Sequence, residues 1–465
     1  MTRGATGRRA AGAAVLATLA IAAGVAWPER AAPPDPRPNV IVVLTDDQPA
    51  DSLDAMPWLR ARLDAAGSGW TAVPVAIANT PLCCPSRASL LTGRYARHTG
   101  VLDNGDGSKF DETDTLATRL HGAGYHTGLV GKYLNRYPFG RLPYVPPGWD
   151  RFVAKGTTGD RSVYRDFPAV VQGSPVSVRR YATDWLAEHA VRFVRAAPTA
   201  RPFFLVFAPS APHTPWEAAA RHAAADVAPR PEPPNVAGAL RGAPAWVRSL
   251  PAPSAAQRAA WRVDRSRADR TLLAVDEALR AIVAALGDRG DETVIFVLAD
   301  NGYSFGEHRW VGKTCPYEAC VRIPMAVLSP WAGPRPPPLV SIVDLAPTVL
   351  RLAGVAPPGD QDGVPFAGWV APGIGGGIEP RGGRVFLEWV GDDRIPAWIA
   401  VRTADLKLIR YGDGSEELYD LGGAIGPGDP WELDNRARDP RYATVLLRLR
   451  AQLERALPGR IGTPG

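Results

Sequence analysis

Three stretches of this chain are apolar at nearly every consecutive position, and a segment of that kind has no face to offer to water. They are Asn39-Val40-Ile41-Val42-Val43-Leu44, Phe203-Phe204-Leu205-Val206-Phe207-Ala208 and Thr293-Val294-Ile295-Phe296-Val297-Leu298. Their length and their β-branched and aromatic content read as strands buried on both faces, as in a parallel sheet with helical crossovers. Each run stops at polar residues: Thr45-Asp46-Asp47-Gln48, Pro212-His213-Thr214-Pro215 and Asp300-Asn301-Gly302. A shorter run stops at Gly131-Lys132. Leu272, Val275, Leu279, Ile282 and Leu286 recur at helical spacing between the second and third strands. The class is therefore α/β, with a mostly parallel central sheet flanked by helices. Ligands of such sheets bind beyond the carboxyl ends of the strands, where these polar residues stand.

A second constraint lies in Pro81-Leu-Cys83-Cys84-Pro85-Ser-Arg87-Ala-Ser-Leu-Leu-Thr-Gly93-Arg94. Pro85 suits the first position of a helix, where a missing N–H costs nothing, and Gly93 suits its end. Cys83 and Cys84 then lie at a helix N-terminus, whose free N–H groups favour negative charge, with the cation of Arg87 one turn in. Adjacent carboxylates such as Asp46 and Asp47 repel each other unless a cation lies between them, and oxygen donors suit a hard divalent ion. Asp300 and Asn301 bring the same donors from another strand end.

The Cys-x-Pro-Ser-Arg pattern, followed by Ala-Ser-Leu-Leu-Thr-Gly-Arg, resembles the signature of the type I sulfatases. The resemblance covers most of residues 38–460 and implies an alkaline-phosphatase-like fold. It implies that Cys83 is oxidised to formylglycine by a formylglycine-generating enzyme, with Cys84 at the variable position. Asp46, Asp47, Asp300 and Asn301 match the metal ligands; the ion implied is Ca²⁺, with Mg²⁺ the alternative. Arg87 is implied to stabilise the formylglycine hydrate, Lys132 and Lys313 to hold the sulfate, and His213 to protonate the leaving alcohol. His308, in Gly306-Glu307-His308, is a further candidate for lining the site. The segment from Lys313 through Tyr317, Glu318 and Arg322-Ile-Pro324 resembles a scaffold block of the family.

Many arylsulfatases follow the first of these lysines with Trp-His, whereas this chain reads Lys132-Tyr133-Leu134-Asn135. That variant resembles the glucosamine-6-sulfatase and extracellular heparan sulfatase branch, and Asn135 is the candidate substitute for the missing His. The implied substrate is a sulfated small molecule or glycan, with sulfated sugars favoured. A phosphate or phosphonate monoester hydrolase of the same fold, and an inactive protein that binds sulfated glycans, are the alternatives. Substrate choice is expected in the loops 151–180 and 216–262.

The 465 residues divide into a leader and Pro-rich linker (1–37), a catalytic domain (38–365) and a C-terminal part (366–465), the last two joined through a Pro- and Gly-rich stretch at 355–383. Short strands at 384–389, 397–402, 406–411 and 416–421 predict a small antiparallel sheet, and 442–457 predicts a closing helix. Arg3, Arg8 and Arg9 before the apolar run Ala10–Ala26 read as an export signal with cleavage near Gly24-Val25-Ala26, an uncleaved N-terminal anchor being the alternative. Secretion is the expected location. With 53 basic and 47 acidic side chains and no basic cluster interleaved with aromatics, the chain lacks the footprint of a nucleic-acid binder. Four cysteines do not make a disulfide scaffold; Cys315 and Cys320 are either paired or free.

Overall fold

The computed structural model describes Met1 and residues 35–156, 163–374 and 382–456. The export-signal reading lies outside these residues. No helix among the described residues is long and apolar enough to cross a membrane.

The elements that position the site are, in chain order, β1 (Asn39–Thr45), β2 (Trp70–Ala72), α1 (Cys83–Thr92), β3 (His126–Gly131), β4 (Arg151–Lys155), β5 (Phe167–Val171), β6 (Ser174–Val178), α2 (Ala182–Ala196), β7 (Phe203–Ala208), α3 (Ala255–Leu286), β8 (Thr293–Ala299), β9 (Met325–Leu328) and α4 (Leu345–Leu352). Nine strands form one sheet in the order β2-β9-β8-β1-β7-β3-β4-β5-β6. The central five run parallel, with Val42 level with Val206 on one side and Phe296 on the other. Antiparallel strands close both edges, β9 and β2 at one and β5 and β6 at the other.

The unbroken apolar runs have the predicted cause. Val40, Val42 and Leu44 of β1 pack with α1 and α4, while Ile41 and Val43 pack on the opposite face with α2 and α3. The helical stripe Leu272, Val275, Leu279 and Ile282 is wholly inaccessible on that second face. A capping box starts α3: the Ser254 hydroxyl accepts from Gln257 N and the Gln257 side chain accepts from Ser254 N. The cysteine helix begins at Cys83, so Pro85 takes its third position instead of the expected first. The first four N–H groups of a helix lack intrahelical partners, so proline costs nothing at either place. Gly93 closes this helix with φ 72° and an N–H bond to Ser89 O at 2.8 Å. Gly131 ends β3 at φ 130°, where a Cβ would come within 2.0 Å of Ala208 O; only glycine lets the chain pass there to deliver Lys132.

Beyond these, β10 (Arg384–Trp389), β11 (Trp398–Thr403), β12 (Leu406–Tyr411) and β13 (Glu416–Asp420) form the antiparallel sheet, followed by α5 (Ala443–Ala456). One face holds Val401, Leu408 and Leu418 against Leu446, Leu449 and Leu453 of α5. The other packs Trp398, Ile409, Tyr411 and Tyr419 against Tyr317, Trp310 and Val321. Residues 366–370 pack in the same core as β1. Cys315 and Cys320 are joined by a disulfide.

Polar groups are buried where this sheet meets the larger one. Glu417 is 1% exposed and accepts hydrogen bonds from the hydroxyls of Tyr419 at 2.6 Å, Tyr411 at 2.7 Å and Tyr317 at 3.2 Å. Burial outweighs those donors and pushes its carboxyl from 4.5 up to about 7. A carboxyl raised on folding stabilises the fold while protonated, so its contribution is full below about pH 4.5 and lost as pH rises through about 7. The shift corresponds to about 3 kcal/mol. Glu417→Gln is expected to remove that slope, leaving the denaturation midpoint flatter between pH 5 and 8 than in the wild type. Parallel midpoint curves for the two proteins would show that Glu417 does not titrate there.

Candidate active site

The polar strand ends converge at the carboxyl edge of the sheet. Asp46 N bonds Ala211 O at 3.2 Å and Asp300 N bonds Thr45 O at 3.0 Å, which ties the ends of β1, β7 and β8 together. Lys132 N reaches Ala208 O at 2.8 Å from β3. The start of α1 is fastened to the same edge, because Ser86 Oγ donates to Asp300 O at 2.5 Å. Asp47 adopts φ 61°, a conformation Asp tolerates better than most residues and one that recurs at functional sites.

Around this edge lie three buried carboxylates and three cations. Lys132 Nζ donates to Asp46 Oδ2 at 2.6 Å. Lys313 Nζ donates to Asp47 Oδ1 and Oδ2 at 2.7 and 2.9 Å and to Cys83 Sγ at 2.8 Å. Arg87 Nε donates to Asp300 Oδ2 at 2.8 Å and its Nη1 to Lys132 O at 2.7 Å. Cys83 Sγ lies 3.4 Å from Asp46 Oδ1 and 3.7 Å from Asp47 Oδ1. His213 Nε2 lies 3.5 Å from Asp47 Oδ2. Its Nδ1 bonds Thr214 O at 2.7 Å; a carbonyl only accepts, so Nδ1 carries the proton and Nε2 is left to exchange one.

Burial raises the cost of ionising Asp46, but Lys132, His213, Arg87 and Lys313 together hold its carboxyl well below the usual range. For Asp47 burial is likewise outweighed, chiefly by Lys313 and His213. Asp300 goes the other way: burial and the repulsion of Asp46 exceed the pull of Arg87 and raise it. Burial also pushes the Cys83 thiol up, against Lys132 and Lys313, and raises Cys84 to about 11. Neither is a thiolate at neutral pH, so the unmodified Cys83 is a poor nucleophile.

The donor set suits a hard divalent cation. Asn301 Nδ2 donates to Asp47 Oδ1 at 2.7 Å and to Gly302 O at 2.8 Å, while its Oδ1 is buried without a hydrogen-bond partner. An orphaned buried carbonyl beside three carboxylates is what a cation with oxygen ligands satisfies. Ligand atoms of Cys83 and His213 also lie within 4.8 Å of those of Asp46 and Asp47. Sulfur and imidazole are the softer donors, so the oxygens of Asp46, Asp47, Asp300 and Asn301 are the better match to Ca²⁺ or Mg²⁺.

One sequence candidate, His308, is not brought to this cluster. The His308 ring stacks on Tyr317 at 3.5 Å, and its Nε2 bonds Glu432 O at 2.9 Å, under the C-terminal sheet. Burial drives its pKa down to about 3, so it is a neutral packing residue. The backbone N–H of Asn135 faces the sulfur of Cys84, the neighbour of Cys83, and its Oδ1 is buried without a partner. The scaffold block behaves as expected: Glu318 pairs with Arg402 at 3.2 Å and Lys407 at 3.1 Å.

The approach to the cluster is a cavity of about 440 Å³. His213, Lys313 and Asp47 form its floor, and Asp103, Asn104, Tyr303, Trp389, Asp392 and Arg394 are among its walls. Its described lining includes none of the expected loop residues 151–180 or 216–262. Trp389 and Arg394 come instead from β10 and the turn after it, and Asn104 caps Cys84 N at 2.9 Å. No local motif singles them out; Asp103-Asn104-Gly105 and Gly391-Asp392-Asp393 look like ordinary turns.

Residues 38–355 match the family model described as Sulfatase. The chain belongs to the type I sulfatase family, within the alkaline-phosphatase-like superfamily. A second model, N-sulphoglucosamine sulphohydrolase, C-terminal, matches residues 306–457 of this sulfatase-family chain. The N-acetylglucosamine-6-sulfatase of Homo sapiens is 33% identical over 346 residues, covering 68% of this chain and 61% of that one. The extracellular sulfatase SULF-1 homolog of Drosophila melanogaster is 31% identical over 361 residues, covering 70% and 31%. The chain thus spans less than two thirds of these curated relatives. A solved structure of a protein in complex with its substrate D-glucosamine-2-N,6-O-disulfate shares the fold of this sulfatase-family chain, with TM-score 0.74 at 24% identity over 90% of this chain and 97% of that one.

Proposed function

We propose that this chain hydrolyses sulfate monoesters of a sulfated aminosugar, through a formylglycine at position 83 and a divalent cation. One observation carries the reading: Cys83 opens α1 2.8 Å from the Nζ of Lys313, which lines the cavity, and beside the paired carboxylates. Converted to formylglycine, residue 83 supplies a hydrate with one hydroxyl to displace the alcohol and a second to release sulfate. A cation held by Asp46, Asp47, Asp300 and Asn301, Ca²⁺ in the family's pattern, supplies fixed positive charge where the reacting oxygens become anionic.

The protein's own groups do the rest. Lys132 and Lys313 present ammonium groups to the sulfuryl oxygens, and Arg87, held by Asp300, keeps a cation beneath residue 83. His213 passes a proton from Nε2 to the departing sugar oxygen while Thr214 O holds the ring by Nδ1. The names of the similar proteins support a 6-sulfated glucosamine, and the cavity has room for a sugar ring. The apolar run Ala10–Ala26 supports export. Cys83 is only 1% exposed, so a formylglycine-generating enzyme must meet it before the chain folds.

Sulfate release from N-acetylglucosamine 6-sulfate tests the reading, with the 6-phosphate as comparison. The sulfate is expected to turn over faster, and mass spectrometry of the peptide carrying residue 83 is expected to show the aldehyde. Faster phosphate turnover, or active protein with an unmodified Cys83, would overturn it.

A further inference from the structure

The disulfide between Cys315 and Cys320 is buried and spans a sequence separation of only 5. A cross-link that closes so short a loop restricts the unfolded chain least, so general stabilisation is the weakest account of it. Its place in the fold is more specific. Cys315 follows Lys313 by two residues, and Cys320 Sγ packs 3.6 Å from the carbonyl oxygen of Gly312, the residue before that lysine. Cys320 O accepts from Gly302 N at 2.9 Å, and Gly302 O accepts from Asn301 Nδ2 at 2.8 Å. Gly312 also pairs with Ser304 in a short antiparallel ladder. The bond therefore ties the segment that carries Lys313 to the turn that backs Asn301.

The Lys313 segment needs such a hold. Both of its neighbours take left-handed backbone, Gly312 at φ 125° and Thr314 at φ 73°. Glycine adopts this freely, but in a β-branched residue it is an outlier that persists only where the surroundings impose it. Three hydrogen bonds grip the chain here: Thr314 N donates to Pro81 O at 3.1 Å, Trp310 Nε1 to Lys313 O at 2.9 Å and Trp398 Nε1 to Thr314 O at 3.0 Å. The disulfide adds a covalent hold at the very next residue. A lysine carries its charge on a flexible four-carbon stem, so a change of backbone at Thr314 swings the ammonium off Asp47 and residue 83. We propose that Cys315 and Cys320 are a positioning pair for the site: their bond keeps Thr314 left-handed and so holds the Lys313 ammonium on Asp47 and residue 83, where the sulfuryl oxygens bind. Without the bond, Thr314 relaxes to an ordinary backbone conformation, and the site loses an ordered cation while the chain stays folded. The inference rests on the sulfatase reading for the identity of the anion.

The test is the double variant Cys315→Ala with Cys320→Ala, together with Cys315→Val with Cys320→Ala, which refills the volume of the bridge with apolar atoms. Circular dichroism reports whether each is folded. An amine-reactive acetyl ester then labels the Ca²⁺-loaded proteins, and peptide mass spectrometry compares Lys313 with Lys109, whose side chain is 64% exposed. Calorimetry measures the binding of inorganic sulfate. Both variants are expected to be folded, to label severalfold faster at Lys313 relative to Lys109, and to bind sulfate about tenfold more weakly, the scale of one charge-assisted contact. Unchanged labelling of Lys313 overturns the proposal whatever sulfate binding does. Loss of the fold in both variants also overturns it, because the bond then holds the chain together and not the lysine. Faster labelling with unchanged sulfate binding leaves the disulfide as the support of Lys313 and removes that lysine from the anion site, so failure here and failure of the sulfatase reading are distinguishable.

Discussion

Cys83→Ser is expected to take up one sulfuryl group and then stop. A serine oxygen at this position inherits the contact that Lys313 Nζ makes with Sγ at 2.8 Å and the neighbourhood of Asp46 and Asp47. It can attack sulfur once, but it lacks the second hydroxyl that expels sulfate, so the ester persists. Steady-state turnover should fall on the order of 10⁶-fold, the scale of losing a covalent nucleophile. Cys83→Ala should lose turnover to the same extent without acquiring the adduct. Mass spectrometry of the intact serine variant after exposure to substrate reads the difference. A serine variant that turns over freely would mean that residue 83 is not the nucleophile, and the cavity would then have to be read as a binding pocket or another hydrolase.

Asp300→Ala has the second large effect, and it reaches stability as well as activity. Asp300 is wholly buried and accepts from Arg87 Nε at 2.8 Å, from Asp47 N at 3.1 Å and from Asn301 N at 2.8 Å. Arg87 is itself 2% exposed, and its Nη2 already lacks a partner. Truncating Asp300 leaves a buried guanidinium without its counter-charge, which costs about 3–5 kcal/mol. The unfolding free energy should fall by that amount and sulfate release should vanish. Added Ca²⁺ should raise the wild-type unfolding free energy by about 2.7 kcal/mol at a hundredfold excess over its dissociation constant. The variant should barely respond. An Asp300→Ala protein as stable as the wild type, with the same response to Ca²⁺, would remove Asp300 from both the ion pair and the cation site.

Much of this was readable along the chain because the signals are local. An unbroken apolar run declares a strand covered on both faces, as β1 shows with Val42 packed one way and Val43 the other. The spacing of Leu272 to Leu286 declares the buried stripe of α3 for the same reason. The cysteine motif, the paired acids and the lysines after glycine each sit within a few residues, so their matches to a family pattern needed no tertiary information. What failed was orientation. Gly306-Glu307-His308 lies near Lys313 in sequence, yet a left-handed turn at His308 (φ 53°) accompanies its ring lying against Tyr317 and not towards the cations.

By itself, then, the sequence determined the α/β class, the strand ends that carry the acids, and the family, because periodicity and short motifs are properties of neighbouring residues. The tertiary structure alone decided the pairing of Cys315 with Cys320, which the sequence had left open. It also decided that Lys313 meets Asp47 across 266 positions of sequence. Trp389 and Arg394, from the strand and turn beyond a Gly-rich stretch, became walls of the cavity only because the second sheet docks there. That docking depends on Trp398, Tyr411 and Tyr419 finding Tyr317 and Trp310, contacts between segments far apart in the chain that no local pattern encodes. Cys83 was singled out as a candidate position from fourteen residues of sequence. That its thiol is buried, with its pKa pushed up by that burial, is a consequence of the fold.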